Sequence, residues 1–369
     1  MSRKHTPPSL ALLREQIDRT DSQILTLLNR RARLAAAIGR AKRHDGASVY
    51  VPGRERQIFA RLASLNQGPL PNEAVRAIYR EIISAARALE EPLRIAYLGP
   101  EATYAHMAAR EQFGSQAVFV PVTTIPQVFA EVERTHVEYG VVPIENSSEG
   151  SVAITLDTLV GSTVGIIAEV SLEIRHCLLS RATRLEQIRR VLAHPQALAQ
   201  CRRWLAAHLA GVPTEEATSN ARAAELALAD AHTAAIAGRV AAEHYKLNVL
   251  VPDIQDQAAN FTRFAVLGRE RQPSPPTGRD KTSLLLSVRD EVGALYRALK
   301  PFAENAISLL RIESRPLKGR PWEYLFFIDV EGHVQDDPLA RALHEIEPHC
   351  VFVKVLGSYA VANQTSLTR

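Results

Sequence analysis

Asp256-Gln257-Ala258-Ala259-Asn260-Phe261-Thr262-Arg263-Phe264 places a hydroxyl and a guanidinium between two phenylalanines, just ahead of the apolar run Ala265-Val266-Leu267. The run reads as a strand entering a core. Polar groups in so apolar a surround are costly unless they meet partners. Backbone groups at a strand start would serve, and so would a ligand. Upstream lies an alternating α/β pattern large enough to hold a cleft. Downstream comes the Pro-rich stretch Arg271-Gln-Pro273-Ser-Pro275-Pro276-Thr-Gly278, a linker to a separate module.

The chain has 369 residues, enough for two or three domains with cores of their own. Its charged and apolar fractions are those of a soluble globular protein. The basic start lacks an apolar core, so no signal peptide is expected, and no run approaches a membrane span. Cys177, Cys201 and Cys350 are odd in number and far apart, which fits a reducing cytosol rather than a disulfide frame or zinc cluster. The twelve histidines show no metal-ligand spacing, and neither metal nor cofactor is expected. Residues 1–92 hold sixteen Lys/Arg against nine Asp/Glu, a local +7 within a total of +4. Such a segment suits nucleic acid, an anionic small molecule or a solvated face. No aromatic or base-reading motif accompanies the charge, so nucleic acid is not expected.

One long helix is expected over 9–43, with Leu10, Leu13, Ile17, Ile24, Leu27, Leu34 and Ile38 on one stripe. The series Ile17, Ile24, Arg31, Ile38 puts Arg31 where an apolar residue belongs, and a charge there needs a partner. Lys42 lies roughly 16 Å farther along the axis, within converging reach of one small anion. Arg14 is roughly 25 Å from Arg31, so only an antiparallel helix of a second chain could bring it to the same pocket. A lone helix of this length also wants a cover. Both points favour a homodimer. Pro52-Gly53-Arg54-Glu55-Arg56 opens a second helix, and 71–91 reads as a third.

Leu12-Leu-Arg14-Glu-Gln-Ile-Asp18, Arg31, Gly39-Arg-Ala-Lys42, Arg54-Glu55 and Ile82-Ile-Ser-Ala-Ala-Arg-Ala-Leu-Glu90 resemble the all-helical chorismate mutase family. The resemblance implies an intertwined dimer that supplies one arginine across the interface. Arg14, Arg31 and Arg54 would hold the carboxylates of chorismate. Lys42 would donate to the ether oxygen and Glu55 would accept from the ring hydroxyl. Glu90 stands where many relatives have Gln, and must be protonated to donate to the ether oxygen. Mutase activity is therefore expected to fall as pH rises. The rearrangement is unimolecular and needs only positioning and charge stabilisation.

From Pro92 onward helical and extended stretches alternate, with strands at 94–98, 117–120, 139–144, 165–170, 190–193 and 232–236. Helices are expected near 125–135, 151–159, 198–209 and 220–228. Open parallel sheets are expected, with ligands beyond the carboxyl ends of their strands. Three polar stretches fall at such ends: Glu145-Asn146-Ser147-Ser148-Glu149-Gly150, His194-Pro195-Gln196-Ala-Leu-Ala-Gln200, and Asn260-Phe-Thr262-Arg263-Phe264. In this order and spacing they resemble prephenate dehydratase over about residues 93–270. The resemblance implies two α/β lobes around a cleft, with Thr262 donating to the departing hydroxyl. Asn146, Ser147, Gln200, Arg263 and Phe264 are the expected substrate-binding residues. Glu145 and Arg263 are open to a substrate-facing or a structural role. Ala105 and Ala193 stand where relatives commonly have serine.

Beyond the linker the pattern is βαββαβ over 282–356, an α+β ferredoxin-like order that resembles the ACT domain. Its two relevant elements, Gly293-Ala294-Leu295 and Glu313-Ser314-Arg315-Pro316, imply a site for the effector L-phenylalanine between paired modules. The expected multidomain plan is a helical domain at 1–92, a two-lobed α/β domain at 93–270, a linker at 271–280 and a regulatory domain at 281–360. The whole chain resembles the bifunctional chorismate mutase–prephenate dehydratase family. The implied substrates are chorismate and prephenate, the implied location cytoplasmic. Other readings are a phenylalanine-responsive binding protein with decayed sites, and a dehydratase preferring arogenate.

Overall fold

The computed structural model describes residues 9–44, 50, 52–89, 92–257, 259–269, 275–317 and 324–362, with the side chains of 42–44 and 52 left undescribed. Three helices come first: α1 (Leu10–His44), α2 (Pro52–Leu65) and α3 (Asn72–Ala88). The apolar stripe of α1 is real but uncovered. Ile17, Leu27 and Ile38 are 59 %, 62 % and 60 % exposed in the single chain. Tyr50, just ahead of α2, is buried in the next domain, its ring 5.0 Å from that of Phe113 and 5.1 Å from that of Tyr139.

The strands that follow are β1 (Arg94–Leu98), β2 (Val118–Val122), β3 (Tyr139–Asn146), β4 (Gly150–Ser151), β5 (Gly165–Glu173), β6 (Cys177–Ser180), β7 (Arg190–Ala193), β8 (Thr214–Glu216), β9 (Thr233–Ala237), β10 (Asn248–Val251) and β11 (Phe261–Gly268). They form two sheets. The first runs β2-β1-β3-β11-β5, with β4 hairpinned onto β3; the second runs β10-β6-β9-β7-β8. Neither sheet is purely parallel. β11 is antiparallel to both β3 and β5, and β6 is antiparallel to β9 and β10. The reason is chain path: after β5 the chain leaves to build the second lobe and returns through β11. That return enters the sheet from the end at which β3 leaves it. Thr262, at the start of β11, thus stands in register with Asn146, at the close of β3.

The last sheet holds β12 (Asp280–Val288), β13 (Leu309–Pro316), β14 (Tyr324–Glu331) and β15 (Cys350–Ala360) in the order β13-β14-β12-β15. Helices Ala294–Glu304 and Asp337–Ile346 cover it, giving the split βαβ order expected of a ferredoxin-like module. Part of the stretch read as linker is structured. Asp280 accepts hydrogen bonds from the Thr277 N–H (2.6 Å), the Thr277 hydroxyl (2.7 Å) and the Gly278 N–H (3.0 Å), closing a turn that launches β12. Residues 271–274 lie outside the described residues.

This third sheet shares a core with the first lobe. Leu285, Leu325, Phe327, Leu356 and Tyr359 pack with Val142, Ile144, Ile166, Ala265 and Leu267. Close approach of β15 to β5 depends on Gly357, where a Cβ would stand 1.9 Å from the Ile166 carbonyl oxygen.

Candidate active site

Two side chains, Asn146 and Thr262, meet where β3 closes and β11 starts. Asn146 Nδ2 donates to Thr262 Oγ1 at 2.8 Å and to Asn260 Oδ1 at 2.9 Å. Asn146 Oδ1 accepts from the backbone N–H groups of Ser148 (2.9 Å) and Glu149 (3.2 Å). Ser147 pins the two strand ends together: its N–H donates to the Phe261 carbonyl at 2.8 Å and its Oγ accepts the Phe261 N–H at 2.9 Å. Thr262 is buried, at 9 % exposure, and among the described residues no acceptor takes its hydroxyl hydrogen.

The second lobe contributes Gln200, the last residue of the helix Pro195–Gln200. Its Oε1 accepts from Asn260 Nδ2 (3.0 Å) and faces His176 Nε2 (2.9 Å). His176 lies on one of the two segments that cross between lobes, and burial holds its imidazole below the ordinary pKa, against the smaller opposing effect of its bond to Gln200. The helix expected over 198–209 is instead two, broken at Cys201, which has φ −112° and ψ 13°. Asp256, on the other crossing, accepts from the N–H groups of Arg203 (3.0 Å) and Trp204 (3.2 Å) at the second of these helices. Ala105 and Ala193, where hydroxyls are common, are packed into the lobe cores.

Arg263 and Phe264 are placed away from this group, unlike the expectation that they line the same pocket. Successive strand residues face opposite sides, so Arg263 points through the sheet to the regulatory domain. It pairs with Glu145, with Glu169 at 3.4 Å and with Asp329 at 3.5 Å. Lys281 and Arg311 complete the cluster, Lys281 against Glu169 and Arg311 3.9 Å from Asp329. Burial alone would lower the pKa of Arg263; Glu169, Asp329 and Glu145 outweigh it and raise it. Phe264 does share the face of Thr262, but as a core residue with Tyr97, Val170 and Val266.

In the helical domain the structure gathers only part of the expected set. Glu55 is half-buried and pairs with Arg87 at 3.2 Å. Burial raises the Glu55 pKa, and the positive charges of Arg87 and Arg31 offset part of that rise. Arg54 is exposed, bonded to Gln57 at 3.2 Å. Arg14 is exposed near the far end of α1. The Lys42 side chain and Glu90 lie outside the described residues. Arg87 was not anticipated, although it sits three residues before Glu90. It also donates to the Phe113 carbonyl at 3.1 Å and lies 5.1 Å from the Tyr50 ring, so it joins Glu55 to the neighbouring domain.

In the regulatory domain Gly293 has φ +74°, a left-handed conformation at the start of the helix Ala294–Glu304. Ala294 is buried and Leu295 half-buried. Glu313, Ser314, Arg315 and Pro316 lie on the edge strand β13 rather than in a turn, and Arg315 pairs with Asp157 of the dehydratase lobe at 3.1 Å.

Asn260 and His176 also join the group around Thr262, outside the expected set. Asn260 carried a legible signal, two residues before Thr262 on a period-2 segment. For His176 there was none, since its closeness to Gln200 exists only once the chain has crossed between lobes.

Comparison with known proteins agrees with this architecture. Residues 13–91 match the family model of chorismate mutase type II, residues 95–272 that of prephenate dehydratase, and residues 282–348 the ACT domain. The chain is 48 % identical to the bifunctional chorismate mutase/prephenate dehydratase of Aquifex aeolicus over 95 % of its own length and 97 % of the relative's. It is 32 % identical to the Escherichia coli K12 protein of the same description, over 96 % and 97 %. Among solved structures, prephenate dehydratase from Arthrobacter aurescens in complex with L-Phe superposes with a TM-score of 0.69 at 34 % identity, covering 73 % of this chain and 90 % of that one. With three matching domains in one order and relatives aligned nearly end to end, the chain belongs to the bifunctional chorismate mutase/prephenate dehydratase family.

Proposed function

We propose that the chain rearranges chorismate to prephenate in its helical domain and converts prephenate to phenylpyruvate in its two-lobed domain, under inhibition by L-phenylalanine bound to the C-terminal module. The observation that carries the dehydratase reading is the Asn146–Thr262 contact of 2.8 Å, which fills an acceptor position of the hydroxyl and leaves its hydrogen unspent. In the reaction the bond to the ring carboxylate breaks and its electron pair enters the ring. The C4 hydroxyl leaves as water, carbon dioxide departs, and one proton is consumed. A positioned hydroxyl donor is what the departing oxygen needs. Thr262 takes that role, Asn146 acts on the substrate through the hydroxyl it orients, and Ser147 and Gln200 position the substrate.

In the mutase site Arg31, Arg54 and Arg14 of the partner subunit hold the two carboxylates. Lys42 and a protonated Glu90 donate to the ether oxygen, and Glu55 accepts from the ring hydroxyl. The uncovered stripe of α1 supports a homodimer, because an amphipathic helix of this length gains most of its stability by packing. Gly293 and Leu295 offer backbone N–H groups to the phenylalanine carboxylate, Ala294 between them giving its own to the Glu291 carbonyl, and Glu313, Ser314, Arg315 and Pro316 form the opposing wall. The ion pair of Arg315 with Asp157 would carry the effect of binding to the dehydratase lobe. Three free, buried cysteines suit a cytoplasmic location.

The decisive assay follows phenylpyruvate formation from chorismate, with and without L-phenylalanine, in the wild type and in Thr262→Val. Turnover that falls with added L-phenylalanine and vanishes in the variant, while chorismate is still consumed, is the expected result. Full dehydratase turnover in Thr262→Val would refute the assignment.

A further inference from the structure

The buried hydrogen bonds around Thr262 have a direction, and it is set at one end by the backbone. Peptide N–H groups can only donate. Because Ser148 and Glu149 direct theirs at one end of the Asn146 amide, that end is the oxygen. Asn146 Nδ2 therefore donates, to Thr262 Oγ1 and to Asn260 Oδ1. Asn260 is left with its NH2 group for Gln200 Oε1, at 3.0 Å. The same Gln200 oxygen faces His176 Nε2 at 2.9 Å and can only accept, so the imidazole hydrogen is on Nε2. On the far side of that ring, Nδ1 lies 3.4 Å from the Tyr104 hydroxyl, which gives its own hydrogen to the Arg175 carbonyl at 2.7 Å. Burial keeps His176 neutral, consistent with a single ring hydrogen.

The oxygen of Gln200 is thus filled twice, while its Nε2 is buried with no partner. A buried donor without an acceptor is unfavourable and rare. Such a donor points to an acceptor that arrives with a ligand.

We propose that Asn260 and His176 are positioning residues of the dehydratase site, holding the Gln200 amide so that its NH2 group takes a carboxylate oxygen of prephenate while Thr262 keeps its hydrogen for the leaving hydroxyl. The proposal rests on the reading that Thr262 and Gln200 meet the substrate. It adds the device that orients them. The device spans the molecule: Thr262 and Asn146 come from the first lobe, Gln200 from the second, and Asn260 and His176 from the two segments that cross between lobes. Thr262 and Gln200 are oriented together only when the lobes stand in this arrangement.

Kinetics of the full-length chain with prephenate test it, with chorismate consumption by the same chain reporting that each variant is folded. Gln200→Ala and Asn260→Ala should each raise KM at least about tenfold, the effect of losing one hydrogen bond to a charged ligand. The double variant should stay within about twofold of Gln200→Ala, because one residue acts through the other. His176→Phe should reproduce the rise, and His176→Gln, which offers a donor at similar reach, should restore KM to within about threefold of wild type. Multiplying effects in the double variant would overturn the proposal, as would an unchanged KM in Asn260→Ala or a His176→Gln enzyme no better than His176→Phe. If Asn260→Ala consumes no chorismate, Asn260→Asp, of the same shape but lacking the donor, replaces it with the same expectation. Thr262→Val separates the two levels. Turnover retained there removes the site itself, whereas turnover lost there alongside independent effects of Asn260 and Gln200 removes only the positioning role.

Discussion

Arg263 meets Asp329 at 3.5 Å across the boundary between the dehydratase and regulatory domains, although its sequence neighbour Thr262 faces the opposite side of the same strand. One strand therefore presents a hydroxyl to the candidate catalytic group and a guanidinium to the regulatory sheet. Glu145 repeats the arrangement next to Asn146, since it is paired with Arg263. The two strands that end at the candidate site are the ones held from behind by the regulatory domain.

Replacing Arg263 by Met leaves Glu169 and Asp329 with less compensation inside a buried cluster. Removing one member of a buried ion pair costs about 3–5 kcal/mol, and the 25 % exposure of Arg263 favours the lower end. Urea unfolding should show a loss of about 3 kcal/mol, while dehydratase turnover at saturating prephenate falls by less than about tenfold. A collapse of turnover as deep as that of Thr262→Val, with stability intact, would return Arg263 to the substrate pocket.

Mutase activity should be bell-shaped in pH. In the proposed mutase site Glu55 must be ionised to accept from the ring hydroxyl, and burial raises its pKa, so activity is lost as pH falls through that raised value. In the proposed role Glu90 donates only when protonated, so activity is also lost as pH rises. Glu90→Gln should abolish the alkaline limb alone, and Arg87→Met should move the acid limb upward by withdrawing a charge that favours the carboxylate. Stability carries the sign of Glu55 too. Its folded pKa lies above the unfolded one, so its contribution is fully present below the unfolded value and declines as pH rises through the folded one. An acid limb that stays in place in Arg87→Met would dissociate Glu55 from the chemistry.

Subunit mixing tests whether Arg14 crosses an interface. Chains carrying Arg14→Ala and chains carrying Arg31→Ala should each lack mutase activity. Unfolded and refolded together, they should regain about a quarter of the wild-type rate, because half of the dimers form and each holds one intact site of two. No recovery in chains that demonstrably mix would place Arg14 outside the mutase site.

Gly357→Ala tests the contact between regulatory and dehydratase domains. Its Cβ would meet the Ile166 carbonyl, forcing β15 away from β5. Overpacking of this kind costs about 1–3 kcal/mol. Uninhibited dehydratase turnover should persist within about threefold, while sensitivity to L-phenylalanine falls at least about tenfold, read from inhibition curves. Unaltered sensitivity would show that inhibition does not pass through this contact.

The helical arm, the α/β alternation and the βαββαβ order were legible because they rest on local periodicity. Apolar residues recurring every three or four positions marked α1, and short β-rich runs between turn residues marked β1, β3, β7 and β12. The antiparallel insertion of β11 was not legible. A strand's direction depends on where the chain has been in the interval, and here the interval is an entire second lobe. The break at Cys201 was hidden likewise, because the two short helices share one apolar pattern and Asp256 supplies the cap from 52 residues away.

By itself the sequence determined which residue types the chain could bring to its chemistry: cations spaced along one helix, a threonine at a strand start, and amides at loop ends. Only the tertiary structure decided which of them act together. Strand alternation sent Arg263 and Thr262 to opposite faces. Chain return set Asn146 beside Thr262, and the lobe crossings brought His176 and Asn260 to one oxygen of Gln200. Hydrogen bonds act over about 3 Å, while the residues that make them here lie up to 116 positions apart. No local pattern can encode that meeting.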